Sequence, residues 1–147
     1  MLDPKDESIL RLLVEDGRRS VVEISKELDL PRATVQERLR RLVDSGAIKK
    51  FVAIPDYSRV GRQVTAYIFV SFRSEGSLSQ RNLAEDVSKI PGVYEVAVIS
   101  GEWDILLKVR AASVEEIGTL VVDRLRAMKG IEKTQTCVAF QTIKESF

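Results

Sequence analysis

No histidine occurs in this chain, cysteine is represented only by Cys137, and Asn82 is the sole asparagine among 147 residues. Without imidazole there is no Ser-His-Asp or Cys-His catalysis, no side-chain base that titrates near neutrality unperturbed, and no His-ligated zinc, iron or haem. A lone thiol excludes an intrachain disulfide and any zinc site built from several thiolates. Carboxylates, Lys, Arg, Tyr and hydroxyls are what remain. Binding is therefore favoured over catalysis, and no cofactor or metal is expected. The scarcity of asparagine is a composition that heat-adapted proteins favour. No apolar run approaches the ~18 residues that cross a bilayer, and the acidic start Leu2-Asp3-Pro4-Lys5-Asp6-Glu7 is unlike a signal peptide. A cytoplasmic protein with no membrane partner is expected, of a length that suits one or two small domains.

The net charge of +1 hides a segregation. Residues 1–30 carry five cations against eight anions, a net of −3, and residues 31–50 carry six against two, a net of +4. Residues 51–147 hold twelve of each sign. An anionic partner is therefore to be sought in the stretch of twenty residues that holds the excess.

Three short helices are predicted in the N-terminal third. Asp3-Pro4 is a helix start, with Asp as N-cap and Pro in the first turn, and Ile9, Leu10, Leu12 and Leu13 give its apolar stripe up to Asp16-Gly17. Ser20-Val21-Val22-Glu23 is a capping box, in which two side chains satisfy two free amide donors, and Val21, Ile24 and Leu28 follow on the inner face. The third helix begins at Pro31 and stops near Gly46, with Val35, Leu39, Leu42 and Val43 as its buried stripe.

That stripe turns the rest of the third helix outward. At 100° per residue Ala33, Thr34, Glu37, Arg38, Arg40 and Arg41 project from the core, with Arg32 at the amino end and Gln36 on the flank. Such a helix suits a DNA major groove: Arg can bond guanine O6 and N7 in bidentate fashion, Gln can do so for adenine, and Ala or Thr can touch the thymine methyl. Lys49 and Lys50 follow, within reach of backbone phosphates. A merely solvated basic face is the simpler reading of Arg-Leu-Arg-Arg alone. Three capped helices with a basic third one favour DNA.

Leu2-Asp3, Asp6, Ile9-Leu10, Glu23-Ile24, Leu28, Thr34-Val35, Arg38-Leu39, Leu42 and Gly46-Ala47-Ile48 together resemble the winged helix-turn-helix of the Lrp/AsnC (feast/famine) transcription regulators of prokaryotes and archaea. The resemblance runs on through the second half. In place of the family's usual Ser before the recognition helix stands Pro31. Ile48 to Ile54 alternates loosely and is predicted to be a strand leaving the DNA-binding domain, before a linker that Pro55 and Gly61 mark. The expected organisation is a winged helix-turn-helix over residues 1–54, a linker over 55–63, and an effector-binding and oligomerisation domain over 64–147.

Residues 64–143 contain a degenerate repeat: strand Val64–Phe72, a helix around Leu78–Lys89 and strand Tyr94–Ser100, then strand Ile105–Ala111, a helix around Val114–Met128 and strand Thr134–Ile143. Each helix ends near a Gly followed by a β-branched residue. The order βαββαβ predicts an α+β, ferredoxin-like domain with both helices on one face of a four-stranded antiparallel sheet. Val64, Ala66, Ile68, Val70 and Phe72 make one face of the first strand, but Tyr67 and Phe69 lie on the other, where alternation should leave polar groups. Tyr94, Val96 and Val98 read as the same breach in the second strand. A second subunit packed sheet to sheet explains both. A homodimer also suits two recognition helices reading the half-sites of a pseudo-palindromic operator in double-stranded DNA. The resemblance implies such dimers, assembling further to tetramers or octamers.

Gly101-Glu102-Trp103-Asp104 joins the central strands, setting two carboxylates and the only Trp at a tight turn. It is similar to the family's Gly-x-aromatic-Asp motif, which implies an effector site for an amino acid or related small molecule. A carboxylate there can pair with an α-ammonium group, and Gly permits close backbone approach. Thr134 and Thr136 match the family's Thr-x-Thr and add hydroxyls. A plain hairpin turn is the simpler reading. Cys137 is expected as a buried small hydrophobe. The expected function is sequence-specific transcription regulation, dimeric or higher and modulated by an amino acid or related metabolite, without enzymatic activity. The alternative is an architectural protein that compacts DNA with little sequence preference, which would show steep salt dependence without discrimination among duplexes.

Overall fold

Local hydrogen bonding sets the helices of the first unit, which ends at Ile54; the computed structural model describes residues 2–145. Helix α1 spans Pro4–Glu15, and the Asp3 carboxylate accepts the N–H groups of Lys5 and Asp6 at 2.9 Å each. Helix α2 spans Val21–Glu27 with both halves of the capping box formed: Ser20 Oγ accepts the Glu23 N–H at 3.2 Å, and the Glu23 carboxylate accepts the Ser20 N–H at 2.7 Å. Helix α3 spans Arg32–Asp44, started by Pro31 at φ −56° without a side-chain cap and followed by Gly46 at φ +75°. Ile9, Leu12, Leu13, Ile24, Val35, Leu42 and Ile48 form the core. Val43, expected in the buried stripe, is 44% exposed.

The strand expected over Ile48–Ile54 does not form: residues 49–56 are neither helix nor strand, and Phe51, Val52 and Ile54 are exposed. A strand exists only through a ladder with a neighbour, and the four strands described all belong to the second unit.

The second unit runs from Pro55 to Glu145. Its elements are β1 (Val64–Phe72), α4 (Gln80–Ser88), β2 (Val93–Val98), β3 (Ile105–Ala111), α5 (Val114–Thr119) continued by a π-helical turn over Leu120–Leu125, and β4 (Ile131–Val138). The antiparallel sheet has the order β2-β3-β1-β4. Ala66, Ile68 and Val70 of β1 and Ile105, Leu107, Val109 and Ala111 of β3 point to one face. There they pack with Leu83, Ala84, Val87, Ile117, Val121 and Leu125 of the helical layer. This is the ferredoxin-like α+β layering. No helix among the described residues is long and apolar enough to cross a membrane.

Three local expectations change. The last strand occupies Ile131–Val138 rather than Thr134–Ile143, because its partner β1 runs out: Val138 pairs with Ala66, and the Ala139 N–H makes one more bond to the Thr65 carbonyl. Tyr94, Val96 and Val98 do not share a face. A bulge between Val93 and Glu95 shifts the register, so that Val96 pairs with Leu107 and packs on the core, whereas Tyr94 meets Tyr57 and Arg110. Cys137 is exposed, since its register partner is Tyr67 on the open side of β1.

Gly130 closes the layer between helix and β4. At φ +86° a Cβ there would lie 2.7 Å from Leu78 Cδ2 and 3.1 Å from Phe72 Cε2. Gly130→Ala is expected to lower the melting temperature of the unit by roughly 5–10 °C, from left-handed strain of about 1–2 kcal/mol plus displaced packing. Gly76→Ala, at φ +60° with nothing within 4 Å of the added Cβ, should lose less. Equal losses by circular dichroism would show that the close approach at Gly130 does not matter.

Candidate functional site

Helix α3 is fixed to α1 by packing and by one ion-pair clamp. Val35 and Leu42 are buried and Leu39 partly so. Between them Arg38 turns inward, pairing with Asp6 at 2.8 Å and with the second carboxylate oxygen of Asp3. Asp6 is itself buried. The hydrogen bond from Arg38, aided by the Asp6 N–H, holds the Asp3 carboxyl below its ordinary value, and the two carboxylates raise the arginine. A carboxylate depressed on folding contributes stability in full above its unfolded pKa of about 3.9, and loses it as the pH falls through the lower folded value.

The clamp redraws the helix surface. Arg38 does not project outward; Asp3, the N-cap of α1, and Asp6 in its first turn draw it in. Arg32, Ala33, Gln36, Glu37, Arg40, Arg41, Lys49 and Lys50 are exposed, and Thr34 is half-buried. Glu37 holds Arg40 in bidentate fashion, at 2.9 Å to Nη2 and 3.2 Å to Nε, with Asp44 3.6 Å from the other nitrogen. The bond from Arg40 lowers the Glu37 carboxyl. Arg32 and Arg41 make no ion pair among the described residues. Because Pro31 carries no capping oxygen, the first-turn amides of α3 stay open to water or to an anion.

In the second unit, Gly101, Glu102, Trp103 and Asp104 lie at one end of the sheet. Gly101 is at φ +120°, the left-handed geometry the turn requires. Glu102 is exposed, while Trp103 rests on Phe69 with ring centroids 6.0 Å apart. Asp104 is the knot of this turn. Its carboxylate accepts the Phe72 N–H at 2.7 Å and Gln80 Nε2 at 3.0 Å, its carbonyl accepts the Ile99 N–H, and its N–H donates to the Val70 carbonyl. Gln80, from the first turn of α4, is a partner the sequence did not single out.

Thr134 and Ile105 flank Val70 on opposite sides, so the turn and Thr134 are two strand spacings apart, about 10 Å. The Thr134 hydroxyl accepts from Arg126 Nε at 3.4 Å, in an open depression of about 380 Å³ lined also by Ile131, Glu132 and Lys133. Thr136, two pairs further along β1 at Ile68, is exposed. Glu102 offers an unengaged carboxylate and Thr134 with Arg126 a hydroxyl and a cation, while the Asp104 carboxylate is already satisfied. No cluster of three potential metal ligands occurs among the described residues.

Comparison with known proteins follows the same division. Residues 2–49 match the family model for winged helix-turn-helix DNA-binding, and residues 65–147 match that for the Lrp/AsnC ligand binding domain. An HTH-type transcriptional regulator of Pyrococcus furiosus is 44% identical over 145 residues, covering 99% of this chain and 97% of its own. The HTH-type transcriptional regulator FL11 of Pyrococcus horikoshii is 35% identical, with coverages of 99% and 93%. A transcriptional regulator of Neisseria meningitidis, crystallised as a complex with L-Met, superposes with a TM-score of 0.93 at 29% identity, over 99% of this chain and 94% of its own. A helix-turn-helix followed by that ligand-binding domain, matched in order across nearly the full length, places this chain in the Lrp/AsnC family of transcriptional regulators.

Proposed function

We propose that the protein is a sequence-specific regulator that reads a pseudo-palindromic operator in double-stranded DNA as a homodimer or larger assembly. In this reading α3 lies in the major groove, with Arg32, Ala33, Thr34, Gln36, Glu37, Arg40 and Arg41 toward the bases and Lys49 and Lys50 toward phosphates. Arg38 holds the helix rather than touching DNA. The observation that carries the reading is the composition of the exposed face of α3, where Arg32 and Arg41 stand beside Gln36 without carboxylate partners among the described residues. Glu37 and Asp44 hold Arg40 until a phosphate or guanine competes for it.

Sheet-to-sheet dimerisation is supported by the apolar groups on the open face, Tyr67, Phe69 and Leu106 with Trp103. Dimers could then build to tetramers or octamers. The effector is an amino acid or related metabolite bound at the end of the sheet that carries Gly101, Glu102, Trp103, Asp104, Thr134 and Thr136, and the Neisseria relative crystallised with L-Met supports that class. An effector changes DNA affinity only insofar as it binds one assembly state more tightly than another. Such a regulator would work in the cytoplasm without catalysing a reaction.

Selection of bound duplexes from a random pool, with and without mixed amino acids, tests the reading. Enrichment of a dyad-symmetric site supports it. Retention of random duplex with a steep salt dependence would replace it with DNA compaction. On a selected site, Arg41→Ala should weaken binding by about tenfold or more, the worth of one base contact of about 1–3 kcal/mol, and leave the melting temperature unchanged. Arg38→Ala should do the reverse in kind, lowering the melting temperature of the first unit because the buried Asp6 loses its partner. In thermal-shift titrations, Glu102→Gln should abolish stabilisation by amino acids while leaving the unliganded melting point intact. Asp104→Asn should lower that melting point by itself, since the turn loses its acceptor for Phe72 and Gln80.

A further inference from the structure

The open face of the sheet is not evenly apolar. Its cross-strand rows are Ala97, Leu106, Phe69 and Gln135, then Glu95, Lys108, Tyr67 and Cys137, then Arg110 and Thr65. Arg110 is buried and Lys108 half-buried, with side chains 8% and 13% exposed. The Arg110 guanidinium lies 3.6 Å above the Tyr57 ring and 5.7 Å from Tyr94, and these two rings meet edge to face at 5.3 Å. Its Nη1 reaches the Thr65 hydroxyl at 3.4 Å, and its Nε has no partner among the described residues. Burial, and then Arg110 beside it, push the Lys108 ammonium below its ordinary pKa, with Glu95 acting against them.

Two cations held this far from water require anions. Glu95, the exposed register partner of Lys108, contributes one charge through space, without a direct ion pair among the described residues. The other does not come from the sheet. Beyond β4 the chain returns over the open face, and Glu145 bonds both Lys108 and Arg110. Two cations then face two carboxylates, and the cluster is neutral only while this segment is in place. The same segment leaves Phe140 fully exposed and Ile143 84% exposed. Phe140 and Ile143 therefore do not anchor it; the Ala139 N–H bond to Thr65 holds its start and the Glu145 ion pairs its end.

We propose that residues 139–145 complete the face on which a second copy of this chain docks, Glu145 neutralising the Lys108–Arg110 pair while Phe140 and Ile143 pack on the partner copy. This rests on the homodimer reading and adds what allows the face to be covered. A two-fold axis sets the same patch against itself. A cation left without Glu145 would then be stripped of water against apolar side chains or against its own copy, and either outcome opposes association. Neutralised, the row becomes a stacked Arg-Tyr surface, a composition enriched at interface centres.

Sedimentation equilibrium of the full chain in about 0.1 M salt, where exposed charges more than ~10 Å apart are screened, tests the proposal. The variants are Glu145→Gln, Phe140→Ser and the double variant Lys108→Met with Glu145→Gln. Wild type is expected as a dimer or a multiple of one, Glu145→Gln and Phe140→Ser with the dimer dissociation constant raised at least tenfold, and the double variant restored to within about threefold of wild type, an allowance for non-additive neighbouring changes. A monomeric wild type would overturn the homodimer reading and this proposal with it. A dimeric wild type matched in affinity by Glu145→Gln and Phe140→Ser would overturn this proposal alone. A double variant as weak as Glu145→Gln would also overturn it, by assigning the loss to something other than charge.

Discussion

Strand β1 is the constraint on which the second unit depends. It is hydrogen-bonded along both edges, to β3 and to β4, so its nine residues fix how far each neighbour can extend. It also fixes which residues face which way. Ala66, Ile68 and Val70 must meet the helices, and Thr65, Tyr67, Phe69 and Ser71 must meet whatever lies opposite. At its C-terminal end the same strand supplies the Val70 carbonyl and the Phe72 N–H that tie down Asp104. At its N-terminal end Thr65 sits beside Arg110. The Gly101–Asp104 turn and the charged cluster are thus set at two ends of one strand, roughly 20 Å apart for six residues of extended chain.

What could be read from the sequence follows the range of the interactions involved. The Asp3 and Ser20 caps act over three residues, so their geometry is legible in the letters themselves. The span Val64–Phe72 is legible because alternation of large β-branched and aromatic residues is a local signal. The α+β order is legible for the same reason, element by element. Among the candidate site residues, the exposure of Arg32, Gln36, Arg40 and Arg41 follows from helical period alone.

The parts that were not legible depend on distant partners. Arg38 obeys the helical period as an outward residue, yet two carboxylates 32 and 35 positions earlier draw it in. The bulge at Tyr94 inverts an alternation that looks regular, because the ladder with β3 decides the register. Residues 48–54 carry an alternating pattern, but pattern alone makes no ladder. The apolar neighbours Val138 and Phe140 suggest burial of Cys137, whereas its pairing with Tyr67 decides its face. Lys108 and Arg110, two apart within an apolar strand, did carry a local sign of the charged row. Glu145 did not, since nothing near it in the chain points to them.

Pro31 has a consequence for how α3 begins. A Ser at this place would start α3 through a hydroxyl–amide bond, which water competes for and which an added phosphate could abolish. Here the start is set by ring closure: φ is held at −56° and the first helical bond runs from the Val35 N–H to the Pro31 carbonyl. A ring restricts the unfolded chain instead of adding a contact to the folded one. Its benefit is entropic, so its weight in the free energy grows with absolute temperature, and it offers no hydroxyl to a kinase.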